Sequence, residues 1–337
     1  MRVETFGGYA RLLGTMRRRR MLRSKKMYDI CFRSLRGLPL PARALTTLLI
    51  ESILGRLLSS QQVVVCGYLW MSNHVHMQLF SLDCSALTHF HERLKKRLTD
   101  FLKRLLGRSQ LSLWDNRTNI GEVLDLEGAI ARVVYTYLNP LRAGLARSID
   151  EYTGCNTWRE FISAPADVNA TVEKEAPWIF ATDIEPLSDG NPSLSEERSL
   201  INVLHQQAAN RPRNIIRIMP FKWLEAFNIV DPVEIEKIRQ RIIFEVREVE
   251  ARLAPKKAPS RRIEGFVVDD SYIPRKKERK VFMYASSKEL RWAFLQTFDR
   301  FVRRCFECYQ LMKQGYRDPP WPPECFKPPI PRLCNAI

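Results

Sequence analysis

The sequence predicts an α+β fold, an antiparallel sheet with helices on one face followed by an α-rich region, and three observations predict it. Short β-rich runs occupy Met27–Ser34, Val63–Trp70 and His74–Phe80, helical spacing governs the segments after the first and third runs, and only Met71, Ser72 and Asn73 separate the second run from the third.

Each element has its own reason. MYDICFRS over Met27–Ser34 reads as a strand. Between Ala42 and Leu58, Leu45, Leu48, Leu49, Ile53 and Leu57 recur at helical spacing. VVVCGYLW and the run from His74 are joined so tightly that they form a hairpin. From Ser85, Leu87, Phe90, Leu94, Leu98, Phe101 and Leu105 mark one face of a helix, and Arg93, Lys96, Arg97, Lys103 and Arg104 mark the other. A further strand is expected near Leu111–Arg117. A third helix should run from about Leu126 to Asn139, because Pro140 lacks an N–H and disfavours α geometry at the residue before it. This order fits a small sheet of the ferredoxin-like kind.

Composition divides the chain into a basic arm (1–26), an α+β domain (27–162), an acidic connector expected to be largely irregular (163–210), and an α-rich accessory domain with a proline-rich tail (211–337). In the last part Asp231-Pro232 starts a helix over Val233–Leu253. Ser286 with Glu289 gives a capping-box signal for another helix, running to about Met312. DPPWPPECFKPPIPRL should lie extended over the C-terminal helices.

Charge narrows the function. The net charge is +17 over 337 residues, and residues 1–150 hold 24 basic against 11 acidic side chains, +13, which leaves +4 for the rest. A polyanion is the expected partner of the first half, and nucleic acid is preferred over membrane because no bulky apolar helix face accompanies the basic run. The longest apolar stretch is interrupted by Arg43, Glu51, Gly55 and Arg56, so no membrane span is expected. With no secretory signal in the first residues and eight cysteines in so long a chain, a cytoplasmic, nucleoid-associated protein is expected.

Chemistry concentrates in two places. In a strand, His74, His76 and Gln78 project from one face while Val75, Met77 and Leu79 project from the other. The two imidazoles can share a divalent cation in an incomplete site, or they are a solvent-facing pair without a ligand. On a helical wheel Tyr135 lies with Arg132 and Asn139 on the polar stripe, whereas Ile130, Val133, Val134, Tyr137, Leu138 and Leu141 form the apolar arc. Tyr137 is a core residue on this reading.

WMSNHVHMQLF followed by YTYLNPLRAGLA resembles the HUH single-strand DNA transposases with one catalytic tyrosine, and specifically the REP-associated tyrosine transposases. The resemblance covers about residues 20–162. It implies that Tyr135 is the nucleophile, that His74 and His76 bind Mg²⁺ or Mn²⁺, and that Asn139, four residues after the tyrosine, is a third ligand. It also implies cleavage of single-stranded or hairpin DNA through a 5′-phosphotyrosine. A homodimer is a candidate assembly.

Arg17, Arg18, Arg19, Arg20, Lys25 and Lys26, with Arg132 and Arg142, are the expected DNA contacts, the arm being otherwise a basic tail. Cys305, Cys308, Cys325 and Cys334 read as buried or incidental thiols before they read as a zinc site. Among Trp292, Phe294, Phe298, Phe301 and Phe306, interleaved with arginines, one or two could stack on bases while the rest are core. A fragment ending near Phe161 is expected to keep the sheet and the site. Two rivals remain: a catalytically silent DNA-binding or regulatory protein, and a metal-dependent phosphoesterase that uses water.

Overall fold

The computed structural model describes residues 20–59, 62–115, 118–187, 192–253, 265–272 and 281–327. Its centre is four antiparallel strands: β1 (Lys26–Arg33), β2 (Val63–Trp70), β3 (His74–Ser81) and β4 (Asn119–Val123). They lie in the order β2-β3-β1-β4, with helix α1 (Ala44–Leu58) crossing between β1 and β2 and helix α2 (Cys84–Leu105) between β3 and β4. The β4 strand lies beyond the expected Leu111–Arg117. Trp114 makes only an isolated bridge to Ser34, and its ring packs edge-on against Phe32 at 5.0 Å.

Three more strands extend this sheet from later in the chain, giving a mixed seven-stranded α+β architecture among the described residues. β5 (Val172–Glu175) pairs antiparallel with β6 (Ile215–Ile218), β6 pairs parallel with β2, and β7 (Met283–Tyr284) pairs parallel with β4. The C-terminal residues thus share one sheet with the N-terminal ones.

Helices cover both faces of the sheet, contrary to the one-faced arrangement expected. Tyr28, Ile30, Phe32, Val75, Met77 and Leu79 pack under α1 and α2. On the other face Met27, Cys66, Leu69 and Phe80 pack with α3 (Leu126–Tyr137) and with Ile235, Ile238, Ile242 and Val246 of the long helix α7 (Pro232–Leu253). The physical reason is that the second face is apolar around its polar centre, and burying each such large side chain contributes about 1.5–3 kcal/mol.

The acidic segment is only partly irregular. α5 (Trp158–Ser163) leads into it, and it contains β5 and α6 (Leu194–Ala208). Ser193 and Glu196 form a reciprocal capping box at the start of α6. Its acids have structural partners: Glu197 is buried, pairs with Arg43 at 2.6 Å and accepts the Leu45 N–H at the start of α1 at 2.8 Å. Glu173 pairs with Arg217, and Asp183 with Arg211.

At the C-terminal end α8 (Lys288–Lys313) buries Phe294, Phe301, Cys305 and Cys308, while Trp292 and Phe306 stay exposed. Its N-cap is Ser287, one residue later than the sequence suggested. Cys325 bridges to Met21, so the described part of the proline-rich tail packs beside the start of the chain.

Candidate active site

The hairpin register builds the floor of the site. β1 and β3 align Arg33 with His74, Cys31 with His76 and Asp29 with Gln78, so six polar or sulfur-bearing side chains share one face in two columns. Helix α3 crosses above them. Asp125 caps its N-terminus by accepting the Gly128 N–H, and the helix stops at Tyr137, just short of Pro140. A four-residue helix, α4 (Asn139–Arg142), continues the chain in a new direction.

This geometry brings His74, His76 and Tyr135 together. The two imidazoles meet edge to face at 5.1 Å between centroids, and His76 meets the Tyr135 ring in the same way at 5.6 Å. Two guanidinium groups approach the same phenol, Arg132 at 4.3 Å and Arg142 at 5.1 Å from the ring centroid. Tyr135 is half-buried, whereas Tyr137 is 2% exposed and its hydroxyl hydrogen-bonds Thr157.

Both imidazoles are held neutral at pH 7. Burial pushes each down to about 3; repulsion from His76, were it protonated, and from Arg33 adds to this at His74, and the charges of Arg132 and Arg33 add at His76. Asn73 Oδ1 lies 2.8 Å from His74 Nδ1. His76 Nε2 lies 3.9 Å from Cys31 Sγ, and His76 Nδ1 is buried without a hydrogen-bond partner.

Asn139 sits at the helix break. Its amide nitrogen donates to the carbonyls of Tyr135 and Thr136 at 2.9 and 3.3 Å, which satisfies the end of α3 and leaves its Oδ1 as the atom a cation could use. Among the described residues no three His, Cys, Asp or Glu side chains converge on one point. A cation at the histidine pair would therefore need further oxygen ligands from outside this set, such as those of a substrate.

Arg132 is already matched in charge. It pairs with the fully buried Asp29 at 2.7 Å, and its guanidinium lies between the rings of Tyr135 and Tyr284, 4.3 Å from each centroid. Burial pushes the Asp29 carboxyl up, opposed by Arg132, Tyr284 and Gln78. Gln78 in turn bonds Thr136 on α3 at 2.6 Å. Arg142, by contrast, is exposed and has no carboxylate within ion-pair distance among the described residues.

The other expected contacts lie apart from this cluster. Lys26 begins β1, opposite Ser81, whereas Arg33 at the far end aligns with His74; seven residues of strand at about 3.4 Å each separate the two ends. Lys25 precedes it. Arg20 lies near Glu92 of α2. Arg17, Arg18 and Arg19 lie outside the described residues, as does Cys334. Cys308 Sγ donates to the Pro320 carbonyl and Cys325 Sγ to that of Phe326.

Sequence reasoning missed Asp29, Cys31, Arg33, Thr136 and Tyr284. The first three were legible in principle, as the period-two set of β1 that includes a charge in the middle of an apolar strand. Tyr284 carried no such signal.

No protein-family model matches this chain, and no curated protein matches it. Among solved structures, that of a REP-associated tyrosine transposase bound to a REP hairpin is similar over 44% of this chain and 85% of that chain, with 12% identity and a TM-score of 0.37. No helix among the described residues is long and apolar enough to cross a membrane.

Proposed function

We propose that this chain is a metal-dependent transposase-like enzyme that cleaves and rejoins single-stranded DNA through Tyr135, acting near hairpins. The observation that carries this reading is the ring of Tyr135 meeting His76, which in turn meets the same-side imidazole of His74, while two guanidinium groups flank the phenol. The β2-β3-β1-β4 strand order, with one helical crossover on each side of the hairpin, agrees with a ferredoxin-like core of the HUH kind. Residues and charge point to single-stranded or hairpin DNA as the partner.

Two imidazole nitrogens and an amide oxygen suit Mn²⁺ better than the harder Mg²⁺, whose oxygen ligands would have to come from the phosphate and water. His74 and His76 are unprotonated, and the partnerless His76 Nδ1 carries a desolvation cost of about 1–3 kcal/mol that ligation would remove. When bound, such a cation supplies Lewis-acid stabilisation of charge on the scissile phosphate. His74, His76 and Asn139 would hold it.

The residues of the chain do the rest. Tyr135 gives up its hydroxyl proton as its oxygen bonds to phosphorus; the 3′-oxygen leaves and ends as a hydroxyl. One phosphoester bond forms for each one broken, so the reverse step needs no ATP. Arg142 is free to neutralise phosphate oxygens, and Arg132 orients the phenol.

The test is incubation of the full chain with a pool of hairpin oligonucleotides and Mn²⁺, followed by a denaturing gel and sequencing of DNA that stays attached. A covalent adduct that needs Tyr135 is expected. Turnover without adduct would identify a phosphoesterase that uses water, and binding without cleavage a silent DNA-binding protein.

A further inference from the structure

We propose that Tyr284, more than a hundred residues downstream of the nucleophile, is a positioning residue that sets the orientation of Tyr135 through Arg132, so that the C-terminal segment completes the active site. The inference rests on the reading of Tyr135 as the nucleophile. It deepens that reading by assigning the second half of the chain a part in the reaction.

Three independent attachments fix this segment to the elements that carry the site. First, β7 runs beside β4, where the Glu122 N–H donates to the Phe282 carbonyl at 3.1 Å and the Leu124 N–H to the Tyr284 carbonyl at 2.9 Å. Second, Ser286 donates through both its N–H and its hydroxyl to Asp125 Oδ2, at 2.8 and 2.9 Å, while Oδ1 of the same carboxylate caps α3. The start of the nucleophile's helix is therefore held by a residue two positions after Tyr284. Third, the Tyr284 ring forms the second face of the slot around Arg132, the guanidinium that pairs with Asp29.

The sheet has made room for that ring. A Cβ on Gly121 would fall 2.4 Å from Tyr284 Cε2, so the phenol can lie against β4 only because position 121 has no side chain. This is a requirement of close approach, since Gly121 is not among the glycines with positive φ.

The consequence is mechanical. Arg132 is anchored by Asp29 on one side, and its planar guanidinium is stacked between two rings, so moving either ring moves the other's support. An in-line attack tolerates little misplacement; about 1 Å can cost about 100-fold in rate. Without Tyr284, Arg132 has an open face and Tyr135 loses its backing.

The experiment uses the full chain labelled with fluorotyrosine, with the Tyr135 line assigned by Tyr135→Phe. Tyr284→Leu removes the ring and hydroxyl. Gly121→Ala displaces the ring without altering it, and Tyr284→Phe keeps the ring and drops only the hydroxyl. Unmoved lines of the core tyrosines report that a variant is folded, and should one variant fail to fold, the others carry the test. The expected result is that the Tyr135 fluorine line moves in Tyr284→Leu and Gly121→Ala, while kcat for adduct formation falls about tenfold or more at nearly constant KM for DNA. An unmoved Tyr135 line in both folded variants, or a moved line with kcat unchanged, would overturn the proposal. If the parent protein makes no adduct at all but the Tyr135 line moves, the coupling stands and it is the nuclease reading that fails.

Discussion

His76 on strand β3 and Tyr135 on helix α3 meet edge to face with their ring centroids 5.6 Å apart. A tyrosine in the same helix only two residues on, Tyr137, points the opposite way and is buried against Trp158 at 4.9 Å. Helix geometry therefore sorts two neighbouring phenols into one that faces the histidines and one that packs in the core.

This contrast gives the first prediction. Tyr135→Phe should abolish the covalent adduct and strand cleavage while DNA affinity changes little. Tyr137→Phe should leave cleavage intact and lower unfolding free energy by about 1 kcal/mol, because its hydroxyl bonds Thr157 in the core. Adduct gels and urea titrations of the two variants separate the roles; a dead Tyr137→Phe would reverse them.

The two arginines beside Tyr135 should behave differently. Arg142→Ala should weaken single-stranded DNA binding and reduce the slope of log affinity against log salt by about 0.7, the value for one lost phosphate contact on a single strand. Arg132→Ala strands the fully buried Asp29 carboxylate and should cost about 3–5 kcal/mol of stability. Binding isotherms at several salt concentrations, with melting curves alongside, distinguish a phosphate ligand from a structural ion pair.

Removing one imidazole should weaken the cation site. Calorimetric titration with Mn²⁺ should show loss of binding in His76→Ala and weaker binding in His74→Ala, and chelator should stop cleavage by the parent protein. Cleavage undiminished in excess chelator would remove the metal from the mechanism.

Acid should unfold the protein partly through His91 of α2. Its imidazole is 4% exposed, and burial, with the charges of Arg20 and Lys95 adding to it, pushes it down to about 3. In the unfolded chain it titrates near about 6.5. Between these values the unfolded state holds a proton that the folded state lacks, so stability is complete above the upper value and is lost as pH falls toward the lower. The loss per group reaches about 1.4 kcal/mol per pH unit. His91→Leu should make the acid limb of the stability curve shallower by about that slope, measured by urea unfolding at several pH values.

Much of the centre was legible in the sequence. Val63–Trp70 is a continuous β-rich run because it is buried on both faces, His74–Ser81 alternates because its polar site face backs onto an apolar core face, and the apolar spacings of α1, α2 and α3 obey the period of a helix. The added strands were not legible. β6 and β7 are four and two residues long, too short for a pattern, and they exist because the edges of the central sheet offer unpaired backbone groups. The capping box Ser193-x-x-Glu196 was readable and lay hidden only because its surroundings look like linker. At the second helix start the sequence favours Ser286, with Glu289 three residues on, but the Ser286 hydroxyl donates to Asp125 and Ser287 caps α8 instead.

A fragment ending near Phe161 should therefore not fold as the sequence alone suggests. It loses Phe221, Trp223 and the isoleucine face of α7 from the core around α3, and it bares the β2 edge that β6 covers. Low solubility and light scattering are expected where the full chain is clear; a soluble, cooperatively melting fragment would contradict the shared core.

The slot around Arg132 also imposes an order in time. The ribosome releases the residues of the slot in sequence, and Tyr284 follows Arg142 by about 7 to 30 seconds at about 5–20 residues per second. Until then a nascent chain can display its histidines and its phenol but has only one ring against the guanidinium. On the proposed mechanism, competence is thereby tied to the synthesis of β7, and a product that stops short of it carries the histidines and the phenol without the second ring of the slot.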